Sequence, residues 1–194
     1  MKKNVLVVFA HPNHDSLNYA LLEQTKAGLA DAGHDVEVLD LYAENFDPVL
    51  TFDKEHRRRE LHCRPETEQY RQQVRWADHL VFIFPIWWGG MPAILKGYFD
   101  KVFTSGFSYH FKWVIPKGHL KNKTAWIITT DDTPALFQNF FMQDYGRVLK
   151  KQICGLVTGM RAKKHLKFTY VRGRNPKTIQ QWLKRCYRLG YFGL

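Results

Sequence analysis

The stretch "HLVFIFPIWWGGMPAILKGYFDKVF" (residues 79–103) joins an apolar run to a helical pattern through two tryptophans and two glycines. His79–Pro85 is too apolar to alternate and reads as a strand covered on both faces. From Pro92 to Val102 the spacing is that of a helix, with proline in the first turn, where its missing N–H costs nothing. The joint between them is less ordinary. A core can use indoles, but it has no use for Gly89 and Gly90, so the pair points to a backbone that comes close to something flat.

Outward from this joint the same strand, loop, helix unit recurs. Val5–Ala10 reads as a first strand, and Ser16–Ala32 as a helix with Leu17, Ala20, Leu21 and Leu29 at helical spacing, stopped by Gly33. Asp35–Leu41 alternates as a strand. A long connection to about Pro65 holds a short helix near "FDKEHRRREL", and Thr67–Ala77 is the next helix. Thr124–Thr130 is then a strand, Pro134–Lys150 mostly helix, Leu166–Val171 a strand and Lys177–Leu189 a closing helix.

Five strands alternating with helices require crossover connections, hence a parallel sheet with helices on both faces. At 194 residues the expectation is one domain, residues 1–194, an α/β three-layer sandwich with the flavodoxin-like strand order 2-1-3-4-5. That order opens a crevice between the carboxyl ends of strands one and three. Here those ends are "AHPNHDSLN" (residues 10–18) and "FPIWWGG" (residues 84–90).

Composition excludes some classes and leaves others open. Cys63, Cys154 and Cys186 are odd in number and unpaired in spacing, so neither a disulfide framework nor a zinc or other metal site is expected. The N-terminal apolar run is too short for a membrane span or a signal core, and a reducing cytoplasm is the expected compartment. The net charge of +11 concentrates in "HRRR" (residues 56–59), "RAKKHLK", "RGRNPK" and "KRCYR". Such charge suits phosphate-bearing cofactors, acidic lipid and nucleic acid equally, and also a merely solvated surface.

The first crevice loop leads into a helix N-terminus, where free N–H groups and the helix dipole attract an anion. His11, Ser16 and Asn18 add donors, while Asp15 would repel a phosphate and is expected to turn away. Ser16 or Asp15 capping the helix is the plainer reading, and it is compatible with the first. Neither a G-x-G-x-x-G nor a P-loop pattern is present. Trp87 and Trp88 read either as packing or as stacking surface. A flat heteroaromatic that carries phosphate fits both loops, and a flavin is such a molecule.

At these residues the sequence resembles a known family. "AHPNHDSLNYA", "FPIWWGGMPAILKGYFDKVF", "ITTDDTP" (residues 128–134) and "DLYAENFDPVL" (residues 40–50) are similar, in order, to segments of the NAD(P)H:quinone oxidoreductases of the flavodoxin-like family. That family includes ancillary proteins of potassium efflux systems. The resemblance implies a homodimer with a flavin at each dimer-built site. Hydride would pass from NAD(P)H to the flavin and then, as two electrons, to a quinone in a ping-pong sequence.

Carried over by position, His11, Ser16, Leu17 and Asn18 would contact the phosphate portion. Pro85, Ile86, Trp87, Trp88, Gly89 and Gly90 would line the isoalloxazine, and Thr129, Thr130, Asp131 and Asp132 would border its pyrimidine side. Trp88, Phe111 and Phe137 would wall the substrate pocket. Asp100 stands where FAD-binding relatives carry an acidic residue, which favours FAD over FMN. The chain departs from the mammalian-type pattern at Asp131 and Asp132, where a Gly-Gly pair is usual. A Tyr and His proton relay would fall near Phe137 and Gln143, so none is expected, and Asp132 is expected to cap the helix at Pro134.

Two other classes stay open from sequence. One is a flavin-binding regulatory subunit with a peripheral membrane or transporter contact and only incidental reductase activity. The other, disfavoured, is a nucleic-acid module built on "RAKKHLKFTYVRGR" (residues 161–174).

Overall fold

A computed structural model describes residues 1–54, 57–134 and 146–194. Five parallel strands form the central sheet: β1 (Asn4–Phe9), β2 (Asp35–Asp40), β3 (His79–Pro85), β6 (Thr124–Thr130) and β7 (Arg161–Phe168), in the order β2-β1-β3-β6-β7. Counting only sheet strands this is 2-1-3-4-5, as expected. β3 lies at the centre, with Val5 opposite His79 on one side and His79 opposite Thr124 on the other. All seven of its residues are buried, which is why its sequence shows no alternation.

Successive residues of the inner strands supply two separate cores. Leu6, Val8, Leu80, Phe82 and Phe84 face the side of α2 (Glu68–Trp76) and α3 (Ala93–Val102), meeting Val74, Leu95, Tyr98 and Phe99. Val5, Val7, Phe9, Val81 and Ile83 face α1 (Leu17–Asp31) and α5 (Pro176–Phe192), meeting Leu21, Leu22, Leu29 and Cys186. The period of two in a strand thus builds both layers from one run of residues. α1 and α5 approach very closely. A β-carbon on Gly28 would run into the Tyr187 carbonyl, and one on Gly190 would lie 2.6 Å from the Thr25 carbonyl oxygen.

Three elements differ from expectation. The last strand spans Arg161–Phe168 rather than Leu166–Val171. As the sheet's edge it exposes most of its charged residues and buries only Leu166 and Phe168, so "RAKK" carries no apolar signal; charge on an open edge also blocks unwanted pairing. An antiparallel hairpin of β4 (Tyr109–Lys112) and β5 (Ile115–Gly118) was not legible at all, because it leaves both faces largely in solvent. Most of the expected helix Pro134–Lys150 lies outside the described residues. The described helical segment there, α4 (Val148–Thr158), is wound with π spacing and stops at Gly159, whose φ is 74°. The short helix expected near "FDKEHRRREL" corresponds, where described, to a 3-10 turn over Arg58–Cys63.

Candidate functional site

The crevice lies beyond the carboxyl ends of β1, β3 and β6 and has a volume of about 430 Å³, within the range of small-molecule sites. Its first wall comes from the loop after β1. Ser16 takes an extended conformation and its Oγ accepts the Tyr19 N–H at 3.2 Å, which caps α1. The N–H groups of Leu17 and Asn18 then have no acceptor among the described residues and form the positive end of the helix dipole. His11 Nδ1 lies 3.1 Å from the Asn13 nitrogen and 3.0 Å from the Asn13 carbonyl oxygen, and it accepts from the N–H or donates to the carbonyl according to its tautomer. Burial lowers its pKa, and His14 adds to the lowering against the Asn13 contact. Asp15 is exposed and its N–H is held by Asn13 Oδ1 at 2.8 Å.

The second wall answers the question set by the glycines. Trp87 and Gly90 exchange both backbone hydrogen bonds, at 2.9 and 3.0 Å, and the residues between them have positive φ: 51° at Trp88 and 77° at Gly89. This is a type I′ turn. A tryptophan in the left-handed region costs about 1–2 kcal/mol, yet the Trp88 indole is fully exposed and recovers nothing by burial. Trp87 is partly exposed, its ring centroid 5.8 Å from that of His11. The pair is therefore not core packing.

The third wall follows β6. Thr130 Oγ1 accepts from Asn18 Nδ2 at 2.7 Å, and the Thr130 carbonyl accepts the Ile86 N–H at 2.8 Å, so one residue ties all three loops together. Asn18 is buried, and its Oδ1 has no partner among the described residues. An orphaned acceptor costs free energy unless a bound group donates to it. Asp131 Oδ1 accepts the Thr133 N–H at 2.9 Å. The helix that Asp132 is expected to cap lies outside the described residues. Asp132 Oδ1 accepts the Arg172 N–H at 3.0 Å and its Oδ2 pairs with Arg172 Nε at 2.9 Å, because the chain leaving β7 turns back beside this loop.

Most of the residues proposed from sequence do line the crevice, Pro85 and Ile86 included. Gly90 does not; its N–H is spent on the Trp87 carbonyl. Thr129 points to the other side of the sheet, with Oγ1 3.1 Å from His165 Nε2. Phe111 is on the β4–β5 hairpin and borders a different concavity with Phe103 and Tyr109. Phe137 and Gln143 lie outside the described residues. Asp100, read from the resemblance as favouring FAD, has both oxygens on Lys96 Nζ at 2.6 and 2.7 Å. Thr133 and Val171 also line the crevice. Val171 could have been found only by ending β7 at Phe168. Among the described residues no cluster of His, Cys, Asp or Glu could hold a metal ion, and no helix is long and apolar enough to cross a membrane.

Comparison with known proteins agrees with this fold. The family profile described as "Flavodoxin-like fold" matches residues 3–188. The crystal structure of Smu.1420 from Streptococcus mutans UA159 is 46% identical, with a TM-score of 0.90 and coverage of 97% of this chain and 98% of that one. NAD(P)H dehydrogenase (quinone) 1 of Cavia porcellus is 35% identical over 153 residues, 70% of this chain and 56% of its own length. The Escherichia coli K12 protein named uncharacterized NAD(P)H oxidoreductase YcaK is 35% identical over 127 residues, 64% of this chain and 63% of its own. The chain spans less than two thirds of the length of these two curated relatives.

Proposed function

We propose, from the premise that this chain belongs to the flavodoxin-like fold family, that it is a flavin-dependent NAD(P)H oxidoreductase that delivers two electrons to a quinone or similar acceptor. The observation that carries the reading is the pairing, in one crevice, of an open helix N-terminus and the orphaned Asn18 Oδ1 with a strained turn bearing an exposed indole. These are complements for a phosphate, a polyol hydroxyl and a flat ring. The names of the curated relatives, both NAD(P)H-linked, point the same way.

A bound flavin would supply the two-electron chemistry. The chain's part is placement and electrostatics. Leu17 and Asn18 offer N–H groups to phosphate oxygens, and the buried Asn18 carbonyl accepts from a hydroxyl. Trp87 and the Trp88–Gly89 turn would lie against the ring, and the Trp88 and Gly89 N–H groups, which the turn does not use, would stabilise negative charge developing on its edge. Of the two carboxylates in the third loop, Asp132 carries a counter-charge in Arg172, which would reduce its repulsion of a reduced, anionic ring. The reading carries a ping-pong sequence, in which donor and acceptor would use the open crevice in turn. Asp100 is paired with Lys96, so the reading takes in both FAD, the form implied by resemblance, and FMN. Chromatography of the heat-released flavin separates them. The reading includes a homodimer, since the hairpin exposes Trp113, Val114 and Ile115 at its tip, an apolar surface that a second copy would cover; sedimentation tests it. Residence in the cytoplasm belongs to the same proposal and is checked by cell fractionation.

The test is direct: the purified protein carries flavin and oxidises NAD(P)H with a quinone and no partner protein. Flavin without that turnover would favour a regulatory subunit, and absence of flavin would sink the reading. Two variants sharpen it. Asn18→Ala removes the orphan and its bond to Thr130, and should weaken flavin binding about ten-fold, as loss of a ligand hydrogen bond does; an unchanged dissociation constant would remove Asn18 from the site. Trp88→Gly should raise thermal stability by relieving about 1 kcal/mol of left-handed strain, while lowering kcat/KM for the quinone per bound flavin. A less stable protein with unaltered turnover would show that the indole is structural.

A further inference from the structure

After Asp144 the sequence holds thirteen Lys and Arg and no Asp or Glu, while the residues before are slightly acidic in balance. The positive excess is therefore local. On α5 the exposed positions Lys177, Lys184, Arg185, Arg188, Tyr191 and Phe192 recur at spacings of three, four and seven, which places them on one stripe. Its basic middle ends in two aromatic rings. Lys164 of the edge strand β7 joins Arg185 and Arg188 around a concavity of about 350 Å³ that also includes Leu166, Leu189 and Phe192.

Lys164, Arg185 and Arg188 make no ion pair among the described residues. Other cations of this region are engaged: Arg172 with Asp132, and Arg174 over the rings of Tyr170 and Trp182 at 5.8 and 5.7 Å. The free face is also remote from the crevice. Lys164 is registered with Trp126 near the start of β6, whereas Thr130 at the end of β6 borders the crevice.

We infer that this face of α5 and β7 docks on an anionic lipid bilayer. Uncompensated cations alone would suit any polyanion. The apolar members decide between them: Phe192 is 76% exposed and Tyr191 42% exposed, and rings beside Lys and Arg stems enter the boundary between headgroups and acyl chains. A nucleic-acid duplex offers Phe192 no apolar partner unless its bases unstack. Docked this way, the protein carries its crevice at the other end of the sheet, open to solvent. The inference goes beyond the flavin reading and does not depend on it.

The test is co-sedimentation of the full chain with phosphatidylglycerol–phosphatidylcholine vesicles and with pure phosphatidylcholine vesicles. Binding should require the anionic lipid and fall with salt. Each cation near such a surface contributes about five-fold, so Lys164→Gln, Arg185→Gln and Arg188→Gln together should weaken partition about a hundred-fold. Phe192→Ser should weaken it several-fold, and the residual binding should keep the wild-type salt dependence. Equal binding to neutral vesicles, or wild-type partition of a triple variant with an unchanged melting curve, would overturn the inference. So would displacement of the protein from vesicles by a duplex oligonucleotide at equal phosphate concentration, which would assign the face to nucleic acid. Were the triple variant to misfold, the lipid dependence of the native chain and Phe192→Ser would still decide.

Discussion

Gly89→Val should raise the flavin dissociation constant about a hundred-fold and leave the protein folded, whereas Gly90→Val should change it far less. The difference lies in the backbone. Gly89 holds φ at 77° in the second central position of the turn that Trp87 and Gly90 close. A β-branched residue is a true outlier there, and holding it costs about 2–3 kcal/mol. Opening this exposed turn relieves the strain with no loss of core, so the turn yields rather than the fold. It is also the crevice wall proposed to lie against the ring. Gly90 is not among the positive-φ residues, and its N–H closes the turn instead of facing the crevice. Asn tolerates the left-handed region, so Gly89→Asn should restore most of the affinity. Fluorescence titration of the apoprotein measures all three, and wild-type affinity in Gly89→Val would remove the turn from the flavin site.

The same stretch shows how far the sequence could be read. β3, with every residue buried, betrays itself by the absence of alternation, and with β1 beside it the crevice between their ends follows from topology alone. Elements at the margin were harder. β7 is an edge, so its exposed lysines mask its start, and the apolar residues near its end drew the expected strand three residues too far. That slip placed Val171 inside the sheet, when it lines the crevice, and hid the return of Arg172 to Asp132. The hairpin leaves both faces in solvent and so has no apolar period to read. Within the motif, neighbours in sequence are not neighbours in space: Thr129 and Thr130 are adjacent on β6, but strand alternation sends one to His165 and the other to Asn18.

Mild acid should destabilise the protein well above the pH at which its carboxylates titrate. His79 is fully buried, and that burial, with Lys3, Lys163 and His34 nearby, pushes its pKa down to about 3. Burial, helped by Lys167 and Lys150, takes His165 to about 4. Both folded values lie below the unfolded 6.5, so the unfolded chain binds these protons first. Stability is then fully present above pH 6.5 and is lost as pH falls from 6.5 towards the folded values, at about 1.4 kcal/mol per unit for each histidine. By pH 4.5 each contributes a loss of about 3 kcal/mol, and together they rival the whole stability of an ordinary domain. Lowered pKa values at His11 and His34 act in the same direction. Asp47 and Glu68, held low by their Lys101 and Arg75 partners, act only at lower pH. Urea unfolding at pH 7 and pH 4.5 measures the loss. His79→Phe keeps a ring against Trp126, whose centroid lies 4.4 Å away, but leaves the Thr124 hydroxyl, now 2.6 Å from His79 Nδ1, without its partner. That penalty is the same at every pH, so the variant should be weaker at pH 7 and lose about half of the acid dependence. A flat stability between pH 6.5 and 4.5 in the native protein would mean that His79 and His165 take up protons in the folded state, which their burial opposes.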